Sequence, residues 1–188
     1  MIIFVGGMIG AGKSTIAKGL AKSLCFPYYD VDEIKKVVYR KDANYDKNMR
    51  EGITFSDELR YEVYDLVSKD LQALVKTEPH IVVDETLHKR DTRHALYDEA
   101  QRLAGGFIVV WVHADEELIL QRLGSQKREG HILDNPLPMH QMLRDEFEPY
   151  QRCIIDCPNN GASDETIADL VNLIDNIAIL SVGKHDRR

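Results

Sequence analysis

Gly7-Met8-Ile9-Gly10-Ala11-Gly12-Lys13-Ser14 fits the pattern G-x-x-x-x-G-K-[ST] without a mismatch. It follows the β-rich run Ile2-Ile3-Phe4-Val5. It opens onto Ile16, Ala17, Leu20, Ala21 and Leu24, which recur at helical spacing. Strand, glycine loop and helix in that order are what a phosphate-binding loop requires. The glycines let successive backbone N–H groups turn inward around a phosphate, and the helix N-terminus adds its positive dipole end. Gly7, Gly10, Ala11, Gly12 and Thr15 are therefore candidate phosphate contacts. Lys13 is expected to neutralise the outer phosphates and Ser14 to offer its hydroxyl to Mg²⁺. The motif gives nucleotide binding. Alone, it does not separate a kinase from a GTPase or an ATP-driven motor.

Outward from this loop, short apolar runs alternate with helical periodicity. Strands are expected at residues 26–29, 80–84, 107–112 and 152–156. Helices are expected at 32–39, from Ser56 as N-cap through Leu74, and at 92–103, 115–123, 139–147 and 166–179. Gly105-Gly106 should end the 92–103 helix. Residues 41–54 are polar and read as a loop or mobile insert. Such alternation argues for a parallel sheet covered by helices on both faces, a three-layer α/β/α fold. Ligands bind such sheets beyond the carboxyl ends of the strands.

The chain has 188 residues, the length of one domain at roughly 100–200 residues each. Residues 1–180 are expected to form it, with an insert at 41–54, a lid at 122–138 and a polar tail at 181–188. Hydrophobic residues make up 44% and charged residues 29%, a globular composition. The 24 Lys+Arg and 31 Asp+Glu leave a net charge of −7, which argues against a broad nucleic-acid-coating surface. The three cysteines, Cys25, Cys153 and Cys157, form no C-x-x-C and suit a reduced, cytoplasmic chain. No apolar run approaches the ~18 residues of a membrane span, and residues 1–5 are too short for a signal peptide.

Carboxylates sit where the expected strands end. Asp30-Val31-Asp32 sends two carboxylates toward one mouth, since side chains two apart share a face of a strand. Phosphoryl transfer needs one carboxylate for the acceptor hydroxyl and gains from another near the metal. Asp32 is the candidate base or hydroxyl-orienting group and Asp30 the metal helper, although Asp32 also suits a helix N-cap. Asp84 ends the apolar run Ile81-Val82-Val83 and reads as a Walker-B-like metal ligand. Arg122, Lys127 and Arg128 form a cationic segment able to close on a transferring phosphoryl group, or simply a solvated charged face. Arg60 and Arg93 are further candidates for the acceptor, and Arg90 reads as a surface charge. The seven histidines show no metal-ligand spacing. Tyr61 and Tyr64 share a helix face and read as packing.

The stretches GMIGAGKSTIAKGLAKSL, DVDEIKK, IVVDETLHKRDTR and VVWVHADEELILQRLGSQKR together resemble the small P-loop kinases of the nucleoside-monophosphate-kinase-like class. That group holds predicted ATP-dependent kinases related to the polynucleotide 5′-hydroxyl kinase domain, with zeta toxin, chloramphenicol phosphotransferase, gluconate kinase and shikimate kinase as wider relatives. The resemblance spans about residues 1–180. It implies a five-stranded sheet of order 2-3-1-4-5 and transfer of the ATP γ-phosphoryl group to a hydroxyl, with Mg²⁺. It implies acceptor contact by Asp32, a role for Asp84 at the third strand's end, and Arg93 facing the acceptor. Arg122 and Arg128 would flank the phosphates, and the loop Pro158-Asn159-Asn160-Gly161 would lie near the adenine. The chain departs from the family where Asp84-Glu85-Thr86-Leu87 replaces the frequent Asp-Ala-Thr-Asn. The missing asparagine and the acidic charge favour a small-molecule acceptor over a polynucleotide end. The other alternative is a nucleotide-dependent regulatory NTPase, which would need neither an acceptor carboxylate nor a cationic lid.

Overall fold

In the computed structural model, which describes residues 1–125, 136–150, 154–161 and 163–182, the central feature is one five-stranded parallel sheet. Its strands are β1 (Ile2–Gly7), β2 (Tyr28–Asp30), β3 (Ile81–Asp84), β4 (Phe107–His113) and β5 (Ile155–Pro158). They lie in the order β2-β3-β1-β4-β5, as the family resemblance implied. β1 pairs with β3 and β4, and Ile2 to Val5 are fully buried. An apolar run without alternation is what a strand covered on both faces requires.

The two faces of β1 build two cores. Ile3 and Val5 pack with Ile16 and Leu20 of α1 (Lys13–Leu24) and with Ile167, Leu170 and Ile174 of α8 (Ser163–Val182). Ile2 and Phe4 pack with Val31 and Val38 of α2 (Val31–Tyr39), with Val63, Val67 and Leu71 of α4 (Asp57–Leu74), and with Leu96 and Tyr97 of α5 (Arg90–Ala104). The layers are therefore α/β/α. Among the described residues, no helix is long and apolar enough to cross a membrane.

Several boundaries differ from expectation. α8 continues to Val182, past the expected start of the tail at 181. β5 runs from Ile155 to Pro158, two residues beyond the expected end at 156, and residues 151–153 lie outside the described residues. Ser56 caps α4 by accepting from the Leu59 amide at 3.4 Å, and Gly105 ends α5 in the left-handed region, both as expected. The polar segment 41–54 is not simply a loop. It holds α3 (Tyr45–Glu51), which packs on α7 (Pro136–Asp145). Gly52 ends α3 with φ 70° and returns its N–H to Asn48. Phe55 then stacks on Tyr39 at 4.2 Å, and Thr54 donates to Glu146 at 3.0 Å. The insert is thus fastened to α2 and to the end of α7. Its polarity hid this because contacts distant in sequence supply most of its ordering.

Gly52 is the weak point of that fastening. A Cβ there would lie 2.5 Å from the Pro138 carbonyl carbon, in a backbone region that costs L-residues about 1–2 kcal/mol. Gly52→Ala is expected to lower the melting temperature by at least about 2–4 °C. A calorimetric scan checks this. An unchanged melting temperature would show that α3 does not depend on this approach.

Candidate active site

The site forms where β1, β2 and β3 end. Gly12 has φ 90° and caps α1 without any side-chain hydrogen bond, and the helix's first turn holds no acidic residue. The cap residue thus supplies no side-chain acceptor and the first turn no carboxylate, an arrangement that favours an anion. A Cβ on Gly12 would lie 2.3 Å from Asn159 Nδ2, so glycine is required for space as well as for conformation.

Turning amides inward turns carbonyls outward, and buried carbonyls need donors. Three side chains supply them. His140 of α7 donates Nδ1–H to the Ile9 carbonyl at 3.0 Å. Arg122, on α6 (Glu116–Ser125), donates to Gly10 at 3.4 Å and Ala11 at 3.2 Å. Asn159 Nδ2 donates to Ala11 at 2.9 Å, and the Asn159 carbonyl accepts from Arg122 at 2.9 Å. Arg122 was expected in a closing lid; it instead grips the back of the phosphate loop, while still lining the cavity. His140 was not singled out from the sequence, since a hydrogen bond to a carbonyl 131 residues away carries no local signal. The loop holding Asn159 was expected near the adenine, and the Asn159 side chain serves the glycine loop.

The carboxylates gather on the other side of the loop. Asp30 and Asp84 stand in register at the ends of β2 and β3. Asp30 Oδ1 accepts from the Asp32 amide at 3.0 Å, so Asp30, not Asp32, caps α2. Burial, then the charges of Asp32 and Asp84, push the Asp30 carboxyl above its usual range. Asp84 is buried, 3.5 Å from Lys13 Nζ, and its Oδ2 accepts from Tyr28 at 2.9 Å. Burial opposes the charge on Lys13, but Asp84, Asp32 and Glu85 together raise its pKa.

Next along the chain, Glu85 faces away from Lys13. Its side chain is 0% exposed, ion-paired with Lys35 at 2.6 Å, and its Oε1 accepts from Tyr64 at 2.9 Å. Lys35 also meets Asp32 Oδ1 at 3.1 Å. Burial works against the Asp32 carboxylate, yet Lys35 and Lys13 outweigh it and hold its pKa down at about 2. Lys35, Glu85 and the polar role of Tyr64 were not singled out from sequence. Lys35 follows Asp32 at helical i+3 spacing, a signal shared with many ordinary surface pairs.

The departure at Leu87 has a physical meaning. Leu87 takes φ 59°, a left-handed conformation that asparagine tolerates and leucine resists by about 1–2 kcal/mol. Its side chain is 1% exposed and packs against Gly6. That burial offsets the strain at about 1.5–3 kcal/mol.

Lys13, Ser14, Thr15, Asp30, Asp32, Lys35, Arg60 and Arg122 all line one cavity of about 560 Å³. Arg60 pairs with Asp57, while its Nε and Nη1 are buried without a hydrogen-bond partner among the described residues. His88, also on the cavity, is kept neutral near pH 7: burial and then Lys35 and Lys89 lower its pKa to about 3. Lys127 and Arg128 lie outside the described residues.

Arg93 is the correction. It was expected to face the acceptor, but it is 1% exposed and is not part of the cavity wall. It donates to the carbonyls of Leu87 at 3.0 Å, His88 at 3.4 Å and Pro149 at 2.8 Å, and its guanidinium lies 4.4 Å from the Tyr150 ring centre. A helix starting at Arg90 turns it inward beneath the segment that follows β3. Its five-donor fork suits a cluster of carbonyls.

A family model described as an AAA domain matches residues 2–150. A shikimate kinase of Francisella tularensis subsp. novicida is 29% identical over 175 residues, 92% of this chain and 91% of that one. A shikimate kinase of Francisella philomiragia matches to the same extent. Among solved structures, a sugar kinase from Janibacter sp. aligns with a TM-score of 0.70 at 20% identity, covering 93% of this chain and 94% of that one. A gluconokinase from Sinorhizobium meliloti aligns at 0.68 and 22% identity, over 96% of each chain. At such identities the structures speak for the fold.

Arg93→Met removes the charged donor from three carbonyls. At about 1.5–3 kcal/mol per charged hydrogen bond, it is expected to lower stability in urea by ~3 kcal/mol or more. ATP affinity of the folded fraction should stay within twofold of wild type. A stable variant with weakened acceptor binding would restore the acceptor-facing assignment.

Proposed function

This chain belongs to the AAA domain family as a small P-loop kinase, and we propose that it moves the γ-phosphoryl group of ATP to a hydroxyl of a small-molecule acceptor, with Mg²⁺. The observation that carries this reading is the shared cavity: the phosphate loop and Asp32 open into the same space. A regulatory NTPase has no need of a carboxylate held opposite its phosphate loop. That the relatives include proteins named as a shikimate kinase, a sugar kinase and a gluconokinase supports this reading.

The residues fit the metal. Among the described residues, no group of three or more His, Cys, Asp or Glu side chains could hold a metal by itself. Mg²⁺ does not require one, since it is bound through one or two protein oxygens together with phosphates and water. Asp84 Oδ1 is buried without a hydrogen-bond partner among the described residues, and Ser14 stands on the same cavity wall. Ser14 and Asp84 would hold the ion, with Asp30 alongside. The ion would neutralise charge on the outer phosphates.

The chain's own groups do the rest. Amides of the loop from Gly7 to Gly12 and of the first turn, Lys13 to Thr15, bind phosphate oxygens. Lys13 adds a charge that three nearby carboxylates keep protonated. Arg122 holds the loop in shape and offers its guanidinium at the cavity wall. Asp32 orients the acceptor hydroxyl. A carboxylate this acidic is a poor base toward a free hydroxyl. It accepts the proton late, as the oxygen's bond to phosphorus makes that proton acidic. Arg60, with two unpartnered nitrogens, is assigned to an oxygen of the acceptor. The sparse cysteines accord with a cytoplasmic enzyme.

The experiment is an ATP-consumption screen with Mg²⁺ over hydroxyl acceptors: gluconate, shikimate, nucleosides, aminoglycosides, chloramphenicol and a 5′-hydroxyl oligonucleotide. One acceptor is expected to raise ADP release well above the basal rate and to yield a phosphorylated product. Turnover that responds to no acceptor but to a protein partner would overturn the kinase reading. With the acceptor in hand, Asp32→Asn should retain ATP affinity and lose transfer by at least ~100-fold. Lys13→Ala should lose ATP affinity itself, read by calorimetric titration.

A further inference from the structure

Resting on the kinase reading above, we propose that Lys35 is a positioning residue: strung between Glu85 and Asp32, it fixes which oxygen of Asp32 meets the acceptor hydroxyl. Lysine–aspartate pairs three apart on a helix are ordinarily mobile and weak. This one differs because its lysine is tied at the other end. Lys35 Nζ lies 2.6 Å from Glu85 Oε2, and the Glu85 side chain is 0% exposed. Glu85 Oε1 is in turn held by the Tyr64 hydroxyl at 2.9 Å. The three groups come from α2, from the residue after β3, and from α4.

A buried carboxylate demands a cation, so the ammonium of Lys35 cannot swing out to water without leaving Glu85 uncompensated. From that anchored place it reaches Asp32 Oδ1 at 3.1 Å. The Asp32 amide is held as well, donating to Asp30 Oδ1 at 3.0 Å. With backbone and one oxygen restrained, Oδ2 is left to the cavity, where the Asp32 side chain is 38% exposed. In transfer, the acceptor oxygen forms its bond to phosphorus as the bond to the bridging oxygen breaks. ADP takes that electron pair, and the hydroxyl proton passes to Asp32. Lys35 exchanges no proton and makes no bond. Its contribution is geometric, and a displacement of about 1 Å at such a group can cost ~100-fold in rate.

The test measures kcat, the KM for ATP and the KM for the acceptor in wild type, Lys35→Met, Lys35→Arg, and Lys35→Met combined with Asp32→Asn. Lys35→Met is expected to lower kcat by about 10–100-fold with the KM for ATP unchanged, and Lys35→Arg to recover part of that loss. In the Asp32→Asn background, Lys35→Met should cost less than twofold more, because a residue acting through Asp32 has nothing left to position. Should Lys35→Met not fold, Tyr64→Phe removes a single hydroxyl from the anchor and should lower kcat by about 2–5-fold with the same split. Wild-type kcat in Lys35→Met, or its full loss repeated in the Asp32→Asn background, overturns the positioning role. So does a loss confined to the KM for the acceptor. A wild-type enzyme that turns over no hydroxyl acceptor sinks the kinase reading and this role with it. Normal wild-type turnover with an unaffected Lys35→Met sinks this role alone.

Discussion

Two adjacent carboxylates at the end of β3 have to be held inside the protein, and the site is organised by how their charge is balanced. Asp84 and Glu85 are both nearly inaccessible, at 3% and 1% exposure. An unpaired buried charge is among the most expensive features a fold can carry. Each has its own lysine, Lys13 for Asp84 and Lys35 for Glu85. Lys13 is the first residue of α1 and Lys35 lies in α2, so charge balance ties the phosphate loop and the acceptor-side helix to one strand end. Asp32 lies within the reach of both lysines, whose charges hold its pKa down.

The phosphate loop shows the same economy in neutral form. A loop whose amides converge on an anion must point its carbonyls elsewhere, and here they point into protein. His140, Arg122 and Asn159 meet three successive carbonyls from three different elements, α7, α6 and the segment after β5. The loop is shaped from behind before any phosphate arrives. Preorganisation of this kind lets dipoles act on developing charge without rearranging first.

The segment around α3 is held differently. α3 carries little apolar surface and lies on α7 through the close approach at Gly52 and the Thr54–Glu146 hydrogen bond, while Phe55 stacks on Tyr39 of α2. Glu146 also pairs with Lys89 at 2.7 Å, which joins this cover to the start of α5. Strain at Leu87 is tolerated just below, where its buried side chain offsets an unfavourable backbone.

The architecture, and the placing of the glycine loop and its neighbouring carboxylates, were legible because their signals are local. A glycine loop between strand and helix, apolar runs that never alternate, and carboxylates placed at strand ends all act over a few residues, through backbone sterics and periodicity. The family resemblance added the strand order. The role of Arg93 was misread because an arginine near an acceptor and one under a loop share the same composition, and only the inward turn of α5 distinguishes them. Lys35 with Glu85, and His140 with Ile9, were invisible for a related reason. Each pairing joins residues about 50 or 131 positions apart, and its energy comes from burial, which a linear chain does not display. The sequence by itself determined the glycine loop between strand and helix, and which carboxylates were available at the strand ends. Only the tertiary structure decided which cation answers each carboxylate, because desolvation makes that pairing compulsory only once the chain is folded.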